Sequence, residues 1–147
     1  MSRKSHTLRL RLIEGKIGEV AYQLTKVHFA QFQESGARWR PQVNVFQCVS
    51  CFRICVELAG VSDENVEIDV GPGKLRISGH RDAPEPLNQQ ERAFSPARKP
   101  VRVIAMEIDH GAFERDLEIP EGYDYRGLTT EWDNGLLWIR MPRIANA

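Results

Sequence analysis

Residues 111–142, GAFERDLEIPEGYDYRGLTTEWDNGLLWIRMP, decide the fold of this chain because they contain three consecutive strand patterns. Apolar residues fall on alternate positions in residues 113–119, and Pro120 ends that strand because proline has no N–H to donate to a ladder. A second alternating run leads to Asn134-Gly135, a dipeptide that tolerates the positive φ of a tight hairpin turn. The alternation continues beyond the turn at Leu137, Ile139 and Met141.

The middle of the chain carries further strand patterns, separated by glycine-containing turns. After a short run at residues 43–46, the apolar positions of three longer runs are Phe52, Ile54, Val56 and Leu58, then Val66, Ile68 and Val70, then Leu75 and Ile77. Ala59-Gly60 and Gly71-Pro72-Gly73 stand between these runs, where glycine permits a sharp turn. The rows together predict an all-β domain with one core.

The first part of the chain has a different period. Leu8, Leu10 and Leu12 alternate with arginines. The apolar positions that follow are three to five residues apart, which predicts one face of an amphipathic helix. That face is Ile13, Ile17, Val20, Leu24, Val27 and Phe32. An isolated helix of this kind buries too little to be stable alone, so we expect it to pack within an assembly, to contact another protein, or both.

Composition excludes several classes of protein. The 147 residues include 20 basic and 20 acidic side chains, so the net charge argues against nucleic acid as the main partner. No apolar run approaches the ~20 residues that a membrane span needs, and no leader pattern is present at the N-terminus. We therefore expect a cytoplasmic protein without a membrane partner. Three cysteines, an odd number, do not suggest a disulfide framework.

The C-terminal strands also resemble a known family. F-x-R-x-L-x-I-P, followed by L-x-T-x-W-x-N-G-L-L-x-I-x-M-P, is similar to the end of the α-crystallin domain of small heat-shock proteins, the Hsp20 family. The usual family form is F-x-R-x-F-x-L-P, then I-x-A-x-L-x-N-G-V-L-x-I-x-L-P. Thr130 and Trp132 depart from it, since the family favours alanine and a smaller apolar residue there. Trp39-Arg40-Pro41 matches the W-x-P that commonly begins the domain.

The resemblance implies an immunoglobulin-like antiparallel β-sandwich in residues 39–142. Residues 1–38 would be an arm with the amphipathic helix, and residues 143–147 a short tail. Residues 82–110 would be a loop of the kind that, in bacterial and plant members, carries a strand exchanged with a partner subunit. The alternative is that this strand folds back on its own subunit. The interface residues implied by the exchange are Val101, Val103, Ile104, Met106 and Ile108.

Two further sites follow from the same resemblance. Arg115 matches the arginine of F-x-R that pairs with acidic groups across the family dimer, and we expect it to point outward, opposite Phe113 and Leu117. A groove between two strand edges would accept an Ile-x-Ile tail segment or an unfolded client. Its residues would be Val66, Ile68, Val70, Leu128, Thr130 and Trp132. The alternative is that these residues are closed core.

The tail departs from the family pattern. Only five residues follow Pro142, and Asn146 stands where a second isoleucine is expected. Five residues span at most ~17 Å. We therefore expect homodimers or small assemblies built through the N-terminal helix, or hetero-oligomers with a tailed partner.

No residue pattern points to catalysis or to a cofactor. Cys48, Cys51 and Cys55 lack the fourth convergent ligand that a tetrahedral metal site needs, so we interpret them as free cysteines, with a metal or redox role as the alternative. The G-P-G-K run at residues 71–74 lacks the spacing of a phosphate loop. We expect no enzyme, no metal and no cofactor.

The resemblance therefore implies an ATP-independent holdase chaperone that binds unfolding proteins and suppresses their aggregation. A non-enzymatic β-sandwich adaptor or co-chaperone for one defined partner is the alternative, because fold does not dictate function.

Overall fold

The computed structural model describes residues 8–13, 38–86, 90 and 102–145. These residues contain eight strands: β1 Arg9–Leu12, β2 Val43–Gln47, β3 Cys51–Glu57, β4 Val66–Gly71, β5 Lys74–Arg81, β6 Gly111–Glu118, β7 Thr129–Asp133 and β8 Leu136–Pro142. The helix predicted to follow residue 13 lies outside the described residues. So do six of the predicted site residues, which are Ile17, Val20, Leu24, Val27 and Phe32 of the helix and Val101 of the exchanged segment.

The strands form two four-stranded sheets. One has the order β1-β4-β5-β6 and the other β2-β3-β8-β7. Every neighbouring pair is antiparallel except β1 with β4, which is parallel. This arrangement confirms the predicted all-β sandwich.

The core lies between the two sheets and consists of the predicted alternating rows. Ile54, Ile68 and Leu75 are among the fully buried side chains, and each contributes roughly 1.5–3 kcal/mol relative to an exposed position. Members of the core cluster come from both sheets, including Val56, Leu58, Val66, Val70, Ile77, Phe113, Leu137, Ile139 and Met141. Each sheet buries one face against the other sheet, and every second residue of a strand points to that face, so the apolar residues recur at a period of two.

The hairpin between β7 and β8 is closed by Asn134-Gly135, as predicted. Both residues have positive φ, 48° for Asn134 and 83° for Gly135, which is the backbone that a two-residue hairpin turn requires. A Cβ added to Gly135 would lie 3.0 Å from the Cα of Ala59, at the end of β3. Glycine therefore permits both the turn and its close approach to the neighbouring connection.

Residues 102–110 have no regular secondary structure. The strand predicted at residues 101–108 is thus not formed within the described part of this chain. A strand forms only when its backbone pairs with another strand, and residues 102–110 pair with no strand among the described residues. Exchange with a partner subunit stays a prediction.

Candidate functional site

The edge of β4 is covered by β1, a strand from the N-terminal arm. Leu10 pairs with Ile68 and Leu12 with Val70, in parallel register. The next residue, Ile13, continues the ladder, since its N–H donates to the carbonyl oxygen of Val70 at 2.7 Å. An edge strand normally presents unpaired backbone groups, and here another extended segment satisfies them.

The leucines of β1 extend the apolar row of β4. Paired residues of neighbouring strands point to the same face, so Leu10 and Leu12 lie on the side of the buried Ile68 and Val70. Both leucines are nevertheless 41% exposed, and Leu8 is partly buried against the core cluster. The sandwich edge therefore accommodates a Leu-x-Leu-x-Leu segment without enclosing it.

Charged side chains hold β1 on its other face. Arg11 Nε donates to Asp69 Oδ1 at 2.6 Å, and Arg11 Nη2 lies 3.0 Å from Glu67 Oε1. The pKa of Arg11 is raised, first by the hydrogen bond and charge of Asp69 and less by Glu67, while burial opposes the shift. Arg9 Nη1 is 3.9 Å from Glu67 Oε2. The arginines that alternate with the leucines thus fit a carboxylate row on β4.

A row of alternating charges crosses the sheet from β4 to β6. Asp69 pairs with Arg76 on β5, and Arg76 pairs with Asp116 on β6, where Arg76 Nε donates to Asp116 Oδ1 at 2.8 Å. Opposite charges at directly opposed positions favour this strand register. A one-residue slip would move every side chain of the slipped strand to the other face of the sheet and separate the charged pairs.

The groove residues predicted on β4 and β7 differ in exposure. Val66, Ile68 and Val70 are completely or almost completely buried, and Leu128, just before β7, is 8% exposed. Thr130 and Trp132 on β7 are half-buried. The β4 row is therefore part of the closed core, and the open part of the edge lies at β1 and β7.

Trp132 carries an unused donor at this edge. Its ring packs against the core cluster, and its buried Nε1–H has no hydrogen-bond partner among the described residues. A buried N–H without a partner costs roughly 1–3 kcal/mol. An incoming carbonyl oxygen would remove that cost.

The opposite side of the sandwich has a second open edge. Strand β2 ends the sheet β2-β3-β8-β7, and its Val45 and Phe46 are 48% and 43% exposed. The irregular segment 102–110 is also exposed along its length. Its large apolar side chains are Val103, Ile104, Met106 and Ile108, and Ile104 reaches 93% exposure.

Arg115 corrects one expectation. It pairs with the buried Ile77 and therefore lies on the same face as Phe113 and Leu117, not opposite them. The period of two requires this, because residues 113, 115 and 117 are all two apart. Its Nη1 donates to the carbonyl oxygen of Pro41 at 3.4 Å, just before β2, and its buried Nε has no partner among the described residues.

Arg81 is a structural residue to which the sequence assigned no role. Its Nε and Nη2 donate to the carbonyl oxygen of Asp109 at 2.8 and 2.6 Å, and its Nη1 donates to that of Ala59 at 3.2 Å. The guanidinium also stacks on Trp39, 4.2 Å from the ring centroid. Arg81 and Asp109 thus close the base of the long loop. The signal available in the sequence is the run Gly79-His80-Arg81, which resembles a G-x-R of the small heat-shock proteins.

The described part of the chain shows neither a metal-binding cluster nor a membrane-spanning helix. Within it, no group of three or more His, Cys, Asp and Glu side chains is arranged to hold a metal ion. Its helices also include none that is long and apolar enough to cross a membrane. The features that the described residues do present are two sheet edges and the exposed apolar side chains beside them.

Comparison with known proteins identifies this architecture. The family model described as Hsp20/alpha crystallin family matches residues 47–147. Heat shock protein 16 of Schizosaccharomyces pombe is 28% identical over 104 residues, which is 71% of this chain and 66% of that protein. Small heat shock protein C4 of Rickettsia felis is 23% identical over 103 residues, 70% of this chain and 56% of that protein. The chain thus spans 56% to 66% of the length of these relatives.

Solved structures agree at the level of the fold. The hspA structure from Xanthomonas axonopodis superposes with a TM-score of 0.58 at 28% identity, covering 73% of this chain and 96% of that one. A small heat-shock protein from Xylella fastidiosa gives 0.59 at 23% identity, covering 76% and 92%. Because the family model matches more than half of the chain and the sandwich is shared with these structures, this protein belongs to the Hsp20/alpha crystallin family.

Proposed function

We propose that this protein is an ATP-independent holdase chaperone that binds unfolding proteins and suppresses their aggregation. The observation that carries the proposal is the edge of β4, which holds an extended leucine-rich segment by backbone pairing. Backbone pairing depends little on sequence, so the same edge can accept apolar segments of many unfolded chains. Membership of the family supports the same role.

The mechanism requires no chemical step. A client strand would take the place of β1 on β4, with its apolar side chains beside Ile68 and Val70. Binding of unfolded or partly open chains lowers the concentration of the species that aggregates. The leucines of β1 are half exposed, so the segment can be exchanged without opening the core.

The arm contributes to the same function. Residues 13–34 would present their apolar face to clients or to neighbouring subunits, beginning at Ile13, where β1 leaves the sheet edge. Several weak contacts in one assembly raise the effective affinity for a client that has more than one exposed apolar segment.

The dimer would form by exchange of residues 101–108 onto the β2 edge of a partner. Val45 and Phe46 on that edge and Ile104 in the segment are exposed in the single chain, so pairing would bury apolar surface on both sides. Arg115 lies at this side of the sandwich, beside Pro41, and its buried Nε would gain an acceptor from the partner subunit. We propose that the α-crystallin domain of each subunit spans residues 39–142.

Aggregation of a destabilised client, measured by light scattering without ATP, tests the proposal. We expect suppression at stoichiometric ratio with a heat-destabilised client and with a reductant-destabilised one. Absence of suppression in both assays would contradict the holdase function. If the protein instead captures one stoichiometric partner at rest and no further proteins on warming, it is an adaptor.

A pair of variants matched for exposure tests the dimer separately. Ile104 is 93% exposed and Val49, in the turn between β2 and β3, is 92% exposed. Because only Ile104 belongs to the exchanged segment, Ile104→Asp should shift the protein to monomer in sedimentation, whereas Val49→Asp should not. A dimer that survives Ile104→Asp would rule out the exchange.

A further inference from the structure

The turn between β2 and β3 places two cysteines side by side. Gln47 pairs with Phe52, so Cys48 and Cys51 are the next opposed positions of the hairpin. The N–H of Cys48 donates to the carbonyl oxygen of Cys51 at 2.9 Å. Opposed residues of an antiparallel pair carry their side chains on the same face, so both thiols lie on the outer face of this sheet.

The two thiols have different surroundings. Cys48 is exposed, whereas Cys51 is only 3% exposed. The Arg53 guanidinium, the Ser50 hydroxyl and the Cys48 thiol each lower the pKa of the Cys51 thiol. The Arg53 interaction is the main cause of a lowered pKa at Cys51, and burial opposes it. Cys51 is therefore a thiolate-favouring group directly opposite an exposed thiol.

Cys55 is a third thiol on the same outer face, but its surroundings are different. It pairs with Trp138 on β8 and is buried. Burial raises its pKa, and the charge of Asp133 adds to that effect. A buried thiol of raised pKa is a poor nucleophile, so Cys55 is a natural internal control for the other two.

We propose that Cys48 and Cys51 are a reversible disulfide site that is oxidised by hydroperoxides. Directly opposed, hydrogen-bonded positions have Cα atoms about 5.5 Å apart, within the ~4.4–6.8 Å that disulfides span. The position at the surface end of a hairpin is typical of labile disulfides, because exposed or strained bonds are the ones readily reduced.

The oxidation has two steps. The exposed Cys48 thiolate attacks one oxygen of hydrogen peroxide, the O–O bond breaks, and the released hydroxide takes up a proton to become water. This leaves a sulfenic acid on Cys48. The Cys51 thiolate then attacks the Cys48 sulfur, an S–S bond forms, and the S–O bond breaks with loss of a second water after protonation. Two thiols are oxidised while one peroxide is reduced to two waters.

Tryptic peptides separate the three cysteines. Because trypsin cleaves after Arg38, Arg53 and Lys74 and not between Arg40 and Pro41, residues 39–53 contain Cys48 and Cys51 while residues 54–74 contain Cys55. After treatment of the native protein with hydrogen peroxide and alkylation, we expect peptide 39–53 to lose two hydrogens and to carry no alkyl group. Dithiothreitol should restore both thiols, and peptide 54–74 should remain alkylated throughout.

Variants test the separate roles. Cys55→Ser should behave like the wild type. Cys51→Ser should form no disulfide and should accumulate a dimedone-reactive sulfenic acid on Cys48. Arg53→Gln removes one tryptic site, so it is tested in the Cys55→Ser background, where peptide 39–74 contains only Cys48 and Cys51. It should slow the second step, so that a dimedone-reactive sulfenic acid on Cys48 persists longer at neutral pH. Arg53→Lys should restore part of the rate because it keeps the positive charge.

Three results would overturn the proposal. The first is two alkylated thiols in peptide 39–53 of the treated wild type. The second is a bond that joins peptide 39–53 to peptide 54–74 or to a second copy of itself. The third is a disulfide between Cys48 and Cys51 that forms as fast in urea as in the native protein. Two cysteines three positions apart can meet in a flexible chain, so an equal rate would mean that the fold does not promote the bond.

Discussion

A single added methyl group at Gly71 should detach the end of β1 and leave the sandwich intact. Gly71 is the last residue of β4 and does not have positive φ, so alanine can adopt its backbone conformation. A Cβ at this position would lie 2.5 Å from the carbonyl oxygen of Ile13, and its two next neighbours also belong to Ile13. The clash in Gly71→Ala therefore falls on the arm alone.

The magnitude follows from the contact that is lost. Moving Ile13 away breaks the hydrogen bond from its N–H to Val70, which contributes about 1 kcal/mol. Amide exchange of Ile13 should then be roughly fivefold faster, because local opening costs that much less. Replacing glycine by alanine without strain stabilises by about 0.4–1 kcal/mol through the unfolded chain. The melting temperature of the sandwich should therefore change little.

Hydrogen exchange and peptide binding are the assays. The variant should show faster exchange confined to residues 9–13. It should also bind an amidated synthetic peptide of residues 8–12 more tightly than the wild type does, because that peptide lacks Ile13 and so avoids the added methyl group. The reasoning would be refuted by unchanged exchange at Ile13, which would mean that β1 does not sit against Gly71. Weaker peptide binding would show that the edge is not the site.

Four other changes have distinct expected outcomes. Gly79→Ala should lower the free energy of unfolding by ~3 kcal/mol or more and so lower the melting temperature in a thermal melt. Its Cβ would overlap the backbone oxygen of Asn65 and lie 2.7 Å from the Phe113 ring. A double-mutant cycle of Arg11→Gln and Asp69→Asn, read by exchange in β1, should give a coupling of only about 0.5–1 kcal/mol, because the arginine is largely exposed. Arg115→Ala should raise the dimer dissociation constant in sedimentation, and an unchanged constant would remove it from the interface. Above pH ~8.5 the raised pKa keeps the folded Cys55 thiol protonated while the unfolded one ionises, so the unfolded state binds fewer protons and the free energy of unfolding falls as pH rises. Cys55→Ala should abolish this loss of stability in denaturant titrations.

Local sequence patterns predicted most of the sandwich. Alternation located the strands that became β2 to β8, because a strand buried on one face must carry apolar residues at a period of two. Asn134-Gly135 located the last hairpin, because few residues tolerate positive φ. The same alternation marked residues 8–12, where β1 formed, but it did not reveal which edge that strand would join.

One error has a physical cause. The outward direction predicted for Arg115 is wrong, because a spacing of two from Phe113 puts the side chain on the same face of β6. The segment at residues 102–110 has a strand-like composition but pairs with no strand among the described residues, and its exchange with a partner subunit stays a prediction. β-Propensity reflects pairing and packing more than an intrinsic backbone preference.

The sequence by itself determined which residues form the strands, where the chain turns and which side chains enter the core, because those properties depend on neighbours within a few positions. Only the tertiary structure decided that β1 joins β4 in parallel and that Arg81 closes a loop at Asp109. The pairing of β1 with β4 and the contact of Arg81 with Asp109 join parts of the chain that are distant in sequence. Their formation depends on which strands become neighbours in the sheet β1-β4-β5-β6, which no local pattern encodes.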